Sequence, residues 1–308
     1  MHQFAGKKIG HNFRHPPGGN SAPPLPGKEK EMATKPANKP KAATPAAPAA
    51  SEPTCPRICF ERIIPDELDP ERPARQALRE YMVASQKRAL NANEVAHAAR
   101  MAVIKTKKWP AGTILRCLFL DGSTTMKKKV RAYAHQWEKH ANIKLKFVTK
   151  APAEIRISFY ADAGSWSAVG RDALNRSYFP LHQPTMNYGW LRDNTSDDEY
   201  SRVVLHEFGH ALGCIHEHQT PTFNRKWDTK AVMKYFQGPP NYWTEDSIKY
   251  NVLQKYSPTG IAATAFDPKS IMLYAFDAIL FADGKGPTNE NTKFSADDIK
   301  MIGTMYPK

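Results

Sequence analysis

The sequence predicts an α+β fold for its last two thirds, and three observations carry that prediction. Short apolar segments alternate with amphipathic helical ones, one periodic helix runs into a stop glycine, and a Ser-x-x-Asp cap opens a last helix near the C-terminus. Thr113 to Leu120 reads as a buried strand, rich in β-branched and large apolar residues and closed by Asp121-Gly122. Thr124 to Ala141 follows as a helix with Met126, Val130, Tyr133, Ala134 and Trp137 on its apolar side and a Ser-Thr cap at its start. Ile143 to Val148 and Glu154 to Phe159 alternate as strands do. Ser196 to Leu212 is the next helix, stopped by Gly213, because glycine takes the left-handed conformation that ends helices at little cost. The stretch beyond is irregular until Ser295-x-x-Asp298 starts the final helix.

The first third reads differently. Residues 1–56 hold 11 of the 25 prolines, many alanines and almost no branched or aromatic apolar residues, so 1–72 is expected to be a disordered tail. Pro73 to about Lys105 favours helix, broken near Asn91-Ala92-Asn93, with Leu78, Met82, Leu90, Val95 and Met101 as a patchy apolar stripe. Residues 73–108 are therefore expected to be a helical pro-segment or N-terminal bracket, leaving 109–308 as the principal domain. The basic run Lys105-Thr106-Lys107-Lys108 is expected to be exposed and suited to proteolytic cutting.

Residues 1–108 carry 19 Lys and Arg against 10 Asp and Glu, which is nine of the chain's net charge of +14. The charge thus sits mainly in the tail. No zinc knuckle, aromatic RNA-binding motif or recognition-helix pattern accompanies it, so specific nucleic-acid binding is not expected. Lys28 to Lys41 is read as a solvated stretch, with weak polyanion contact as the alternative. Met1 to Gly27 lacks the apolar core of a secretory signal, and no run approaches the length of a membrane span. The expectation is a soluble monomer that stays inside the cell or leaves by a route that reads no N-terminal signal.

The chemistry is concentrated in His206-Glu207-Phe208-Gly209-His210-Ala211-Leu212-Gly213-Cys214-Ile215-His216. Helical residues four apart share a face, so His206 and His210 can direct their rings at one ion. Glu207 lies beside that ion, placed to deprotonate a water without being a ligand. A third ligand six residues after His210 requires the chain to turn, which Gly213 permits, and His216 then returns. Three neutral nitrogens leave one position of Zn2+ open, the arrangement of a catalytic rather than a structural site. Five fixed residues at these spacings make a merely polar helix face a poor alternative.

About sixty residues on, Ser270-Ile271-Met272-Leu273-Tyr274 completes a pattern that resembles the metzincins, in which HExxHxxGxxH is followed by a methionine turn. Glu217 directly after the third histidine, the S-I-M-x-Y turn, and Trp109-Pro110-Ala111-Gly112-Thr113-Ile114 at the start of the domain are similar to the astacin-like branch, closest in appearance to its bacterial and fungal members. The resemblance spans roughly Trp109 to Tyr306. It implies a twisted mixed sheet, an active-site helix with a backing helix above the cleft, and an irregular lower half holding the Met-turn and C-terminal helix. It also implies that Met272 is an apolar floor under the histidines and that Tyr274 approaches the metal to hydrogen-bond an oxyanion. Glu217, by the same implication, anchors a new N-terminus once a preceding segment is removed. Met186, Asn187 and Tyr188, within Thr185 to Trp190, fall where such folds place a lower edge strand for pairing with substrate, an internal hairpin strand being the alternative.

Two departures from animal astacins stand out. The domain holds only Cys117 and Cys214, and Gln219-Thr220-Pro221 replaces an Arg-Pro run. Cys55-x3-Cys59 is read as two isolated cysteines, with a disulfide or a thiolate latch on the zinc as alternatives. The resulting expectation is a zinc-dependent metalloendopeptidase cutting protein or peptide substrates. A zinc-stabilised adhesion or scaffold protein and a zinc amidase acting on cell-wall peptides are the alternatives.

Overall fold

The computed structural model describes residues 59–62, 103–104, 107–238, 242–256, 261–262 and 265–308. Most of the expected tail and helical segment, including Cys55, lies outside the described residues. The described elements are strands β1 (Phe60–Arg62), β2 (Val103–Ile104) and β3 (Ile114–Phe119), helix α1 (Thr124–Ala134), and strands β4 (Lys144–Val148), β5 (Ile155–Ser158), β6 (Ser165–Ala168) and β7 (Met186–Tyr188). Helices α2 (Asp197–Ala211), α3 (Thr229–Gln237) and α4 (Glu245–Ile248), strand β8 (Ile261–Ala262) and helix α5 (Ala296–Met305) follow.

Six strands form one sheet in the order β1-β6-β7-β5-β3-β4. β3 runs parallel to β4 and β5, β5 is parallel to β7, and β6 is antiparallel to β7, with β1 parallel to β6. α1 and α2 pack together, fastened where the Trp137 indole donates to the Leu205 carbonyl at 3.2 Å. Among the described residues no helix is long and apolar enough to cross a membrane.

The elements expected from sequence are present with two adjustments in this upper half. α1 stops at Ala134, and Trp137–Lys139 forms a separate 3-10 turn. There Trp137 is buried and the Glu138 carboxylate accepts the Leu145 N–H at 2.6 Å, drawing the chain into β4. β6 had no signal in the sequence: Ser-Trp-Ser-Ala lacks the β-branched residues that favour strands, yet all four residues are buried.

The N-terminal third also departs from expectation at the points described. Phe60–Arg62, within the expected tail, is a strand paired in parallel with β6. Val103–Ile104, within the expected helical segment, is a strand paired antiparallel with β8. Both depend on partners far along the chain, which local propensity cannot register. Lys107 is not exposed: its Nζ meets Asp172 Oδ2 at 2.5 Å, its carbonyl accepts the Arg171 N–H at 2.7 Å, and the residue is 3% exposed. Trp109 then clamps the end of α2, its indole donating to Ala211 O at 2.8 Å.

Candidate active site

Helix α2 delivers the first half of the site. Ser196 caps it by accepting the Glu199 N–H, and Asp197, Asp198 and Glu199 place negative charge at the positive end of the helix dipole. Gly213 takes φ 96°, the left-handed conformation, and the Cys214 N–H donates to Gly209 O at 3.0 Å as the helix closes. The chain reverses and His216 comes back toward His206 and His210.

The three Nε2 atoms converge, with His210 Nε2 3.1 Å from those of both His206 and His216. Each Nδ1 faces an acceptor: Ile271 O at 2.9 Å for His206, Cys214 O at 2.9 Å for His210, and Gln219 Oε1 at 3.0 Å for His216. Those acceptors fix the proton on Nδ1 and turn the Nε2 lone pairs inward. Burial pushes all three imidazoles well below their ordinary pKa, His210 to about 4, so they are neutral ligands at pH 7. Three neutral nitrogen lone pairs aimed at one point are a donor set that fits zinc. His218 is not in this set; its Nε2 lies 3.0 Å from Asn251 O, facing another part of the interior.

The turn beneath the histidines is held from the C-terminus. Asp298, in the capping box of α5, accepts the Ile271 N–H at 2.8 Å and the Ser270 hydroxyl at 3.0 Å while also taking the Ser295 N–H at 2.9 Å. Met272 is buried against the underside of α2, where a Cβ on Gly209 would overlap its sulfur. Met272 O accepts the Glu217 N–H at 3.0 Å, and Glu217 Oε1 accepts the Asp267 N–H at 2.9 Å. Burial raises the Glu217 carboxyl to about 8. The Tyr274 ring packs 4.2 Å from that of His216, centroid to centroid, with its hydroxyl against His216 Nε2.

β1 brings a further residue to this centre. Cys59 is fully buried, close enough to Glu207 to feel its charge, and its carbonyl accepts the Tyr274 hydroxyl. Burial, then the Glu207 charge, pushes the thiol well above its usual pKa. Cys59, Cys117 and Cys214 are all free thiols.

The structure thus brings His206, Glu207, His210, His216, Met272 and Tyr274 together, with Gly213 and Glu217 in the adjoining turn. It corrects the edge strand. Met186, Asn187 and Tyr188 form β7, paired on both sides by β5 and β6, so their backbone groups are committed. The Asn187 side chain is taken up by the β5–β6 connection, accepting the Tyr160 N–H at 2.8 Å and donating to Gly164 O at 2.5 Å. β6 lies next to β7 toward the edge of the sheet, and β1 pairs along its other side as the edge strand. Sequence reading missed Gln219, whose signal was its position three residues after His216, and Asp298 as support for the Met-turn.

Fold and site define a zinc metalloendopeptidase of the metzincin type. The family model for the astacin peptidases matches residues 101–307, and the chain belongs to that family. The catalytic metal is zinc, bound by the three histidines. Two solved structures of myroilysin, a bacterial astacin-like protease, are similar to it. One is 41% identical with TM-score 0.64, covering 67% of this chain and 98% of the other. The second is 39% identical with TM-score 0.52, covering 66% and 87%. Human Tolloid-like protein 1 is 24% identical over 231 residues, which are 70% of this chain and only 20% of that protein. The chain therefore spans about a fifth of the length of that curated relative.

Proposed function

We propose that this chain is the latent form of a protein-cutting endopeptidase in which residues upstream of Lys107 are a pro-segment, with its stretch 59–62 in the cleft. The observation that carries the reading is Cys59, buried within reach of the Glu207 charge, whose carbonyl accepts the Tyr274 hydroxyl beside three converging imidazoles. Zinc, when bound by His206, His210 and His216, supplies Lewis acidity toward water and the scissile carbonyl.

The chain's own groups do the rest. Glu207, buried on α2 next to His206, takes the proton of the attacking water and passes it to the leaving amine. The Tyr274 hydroxyl donates to the oxyanion, a role for which it must first release the Cys59 carbonyl. Met272 supports the histidines from below. Glu217 holds the turn through Asp267 in the latent form and takes a freed N-terminus after cleavage. An extended peptide pairs with the outer edge of β6, the edge that β1 occupies here. The protein works as a monomer, and its basic tail adds at most a weak contact with polyanions.

The test is to incubate the full chain, and a chain starting at Lys107, with casein and with cell-wall fragments, each with and without a zinc chelator. Chelator-sensitive casein cleavage, faster for the shorter chain, is expected. Cleavage of wall fragments alone would replace the reading with that of a cell-wall amidase, and zinc-loaded protein that cuts neither would replace it with that of a scaffold.

A further inference from the structure

The part of β1 that leads away from the catalytic centre shows what kind of side chain the cleft receives. Phe60 pairs with Trp166 and Arg62 with Ala168, so Arg62 stands on the same side of the sheet as the Trp166 ring, diagonally across from it. Its guanidinium carbon sits 3.7 Å from the centre of the Trp166 ring, the distance of a close cation–π stack. Trp166 is buried and is backed by Phe179, with ring centroids 6.5 Å apart and planes 24° from parallel. Burial lowers the Arg62 pKa, and the neighbouring, partly exposed Tyr178 opposes that lowering.

Backbone pairing on β6 is indifferent to sequence, whereas a platform under alternate side chains is not. From the foregoing endopeptidase reading, we propose that the Trp166 face beside Tyr178 is a substrate subsite selecting a cationic side chain, arginine above lysine, and that Arg62 occupies it in the latent chain. Arginine is favoured because a planar guanidinium stacks on an indole face over a wider area than an ammonium can. Cys59 lies at the catalytic groups and Arg62 is three residues on, about 10 Å along an extended chain. The selected residue is therefore two to four positions from the bond that is cut.

A single pool of unstructured peptides that differ only in carrying Arg, Lys, Gln or Leu at each of these positions, on either side of the bond, tests this with the full zinc-loaded chain. Rates are compared within one mixture, so partial blocking by the leader scales all of them equally and cancels. At one position Arg should be cut about three- to thirtyfold faster than Gln, with Lys between them. Trp166→Phe should shrink that ratio, and Trp166→Leu, which keeps an apolar side chain in the pocket, should abolish it while casein is still cleaved. In a separate assay Arg62→Ala should raise the casein rate of the full chain by weakening the leader's hold. Equal rates for Arg and Gln at every position, with casein cleaved normally, would overturn the subsite alone. Loss of casein cleavage in every zinc-loaded preparation would overturn the peptidase reading and the substrate role of Trp166 with it.

Discussion

Cys59 and Glu207, 148 positions apart in the chain, are both fully buried at the centre of the molecule, where burial and then the Glu207 charge push the Cys59 thiol well above its usual pKa. The same cysteine's carbonyl takes the Tyr274 hydroxyl. This residue thus sits among the groups assigned to proton transfer and oxyanion binding, while the strand that follows it pairs along β6 on the side away from β7.

Removing that residue's hold should release activity. A chain starting at Lys107 should cut casein faster than the full chain at equal zinc content, and Cys59→Ala in the full chain should fall between them. Lys107 has to be kept, because its ammonium is buried against Asp172 and deleting one partner of such a pair strands the other charge. A chain starting at Trp109 should accordingly melt at a lower temperature than one starting at Lys107. A folded, zinc-loaded Lys107 chain less active than the full chain would make β1 part of the working enzyme.

Glu207→Ala should retain one zinc per chain and lose about 100- to 10,000-fold in turnover, the usual cost of a missing general base. Metal analysis beside a casein assay reads both quantities. Near-normal turnover would remove Glu207 from the mechanism, and loss of zinc would make it a ligand or a support.

Zinc titration should separate the histidines. Alanine at His206, His210 or His216 removes one of three converging nitrogens and should weaken binding sharply. His218→Ala should leave zinc affinity within a fewfold of wild type, since His218 faces Asn251 O. Equal losses at all four positions would contradict the ligand set.

Asp298 should govern stability through the Met-turn. Alanine there leaves the Ile271 and Ser295 N–H groups and the Ser270 hydroxyl without their acceptor and should cost about 2–4 kcal/mol in urea unfolding. Asparagine, which can still accept both N–H groups, should cost less. Burial holds the Asp298 carboxyl up at about 6 from an ordinary 3.8. Between those values the folded chain keeps a proton that the unfolded chain has released, so this residue lowers stability as pH rises through the window and has no further effect above it. The asparagine variant should lack that slope, and an unchanged slope would assign it to other groups.

The metal ligands were legible in the sequence because their geometry is local. The spacing of His206 and His210 on a helix, and a glycine able to take positive φ at Gly213, determine most of the triad before any tertiary contact forms. The same holds for the capped starts of α1, α2 and α5, where Ser123, Ser196 and Ser295 each accept an N–H three residues on. Only the tertiary structure decided which strand is outermost. β7 and β6 are both short and buried, and their order depends on which neighbours supply hydrogen bonds, a property of the assembled sheet. Cys59 at Glu207, Arg62 on Trp166 and Asp298 beneath the Met-turn likewise join residues 148, 104 and 27 positions apart from their respective partners Glu207, Trp166 and Ile271. No periodicity or propensity encodes such separations, because the free energy that fixes them is released only when the core closes around them.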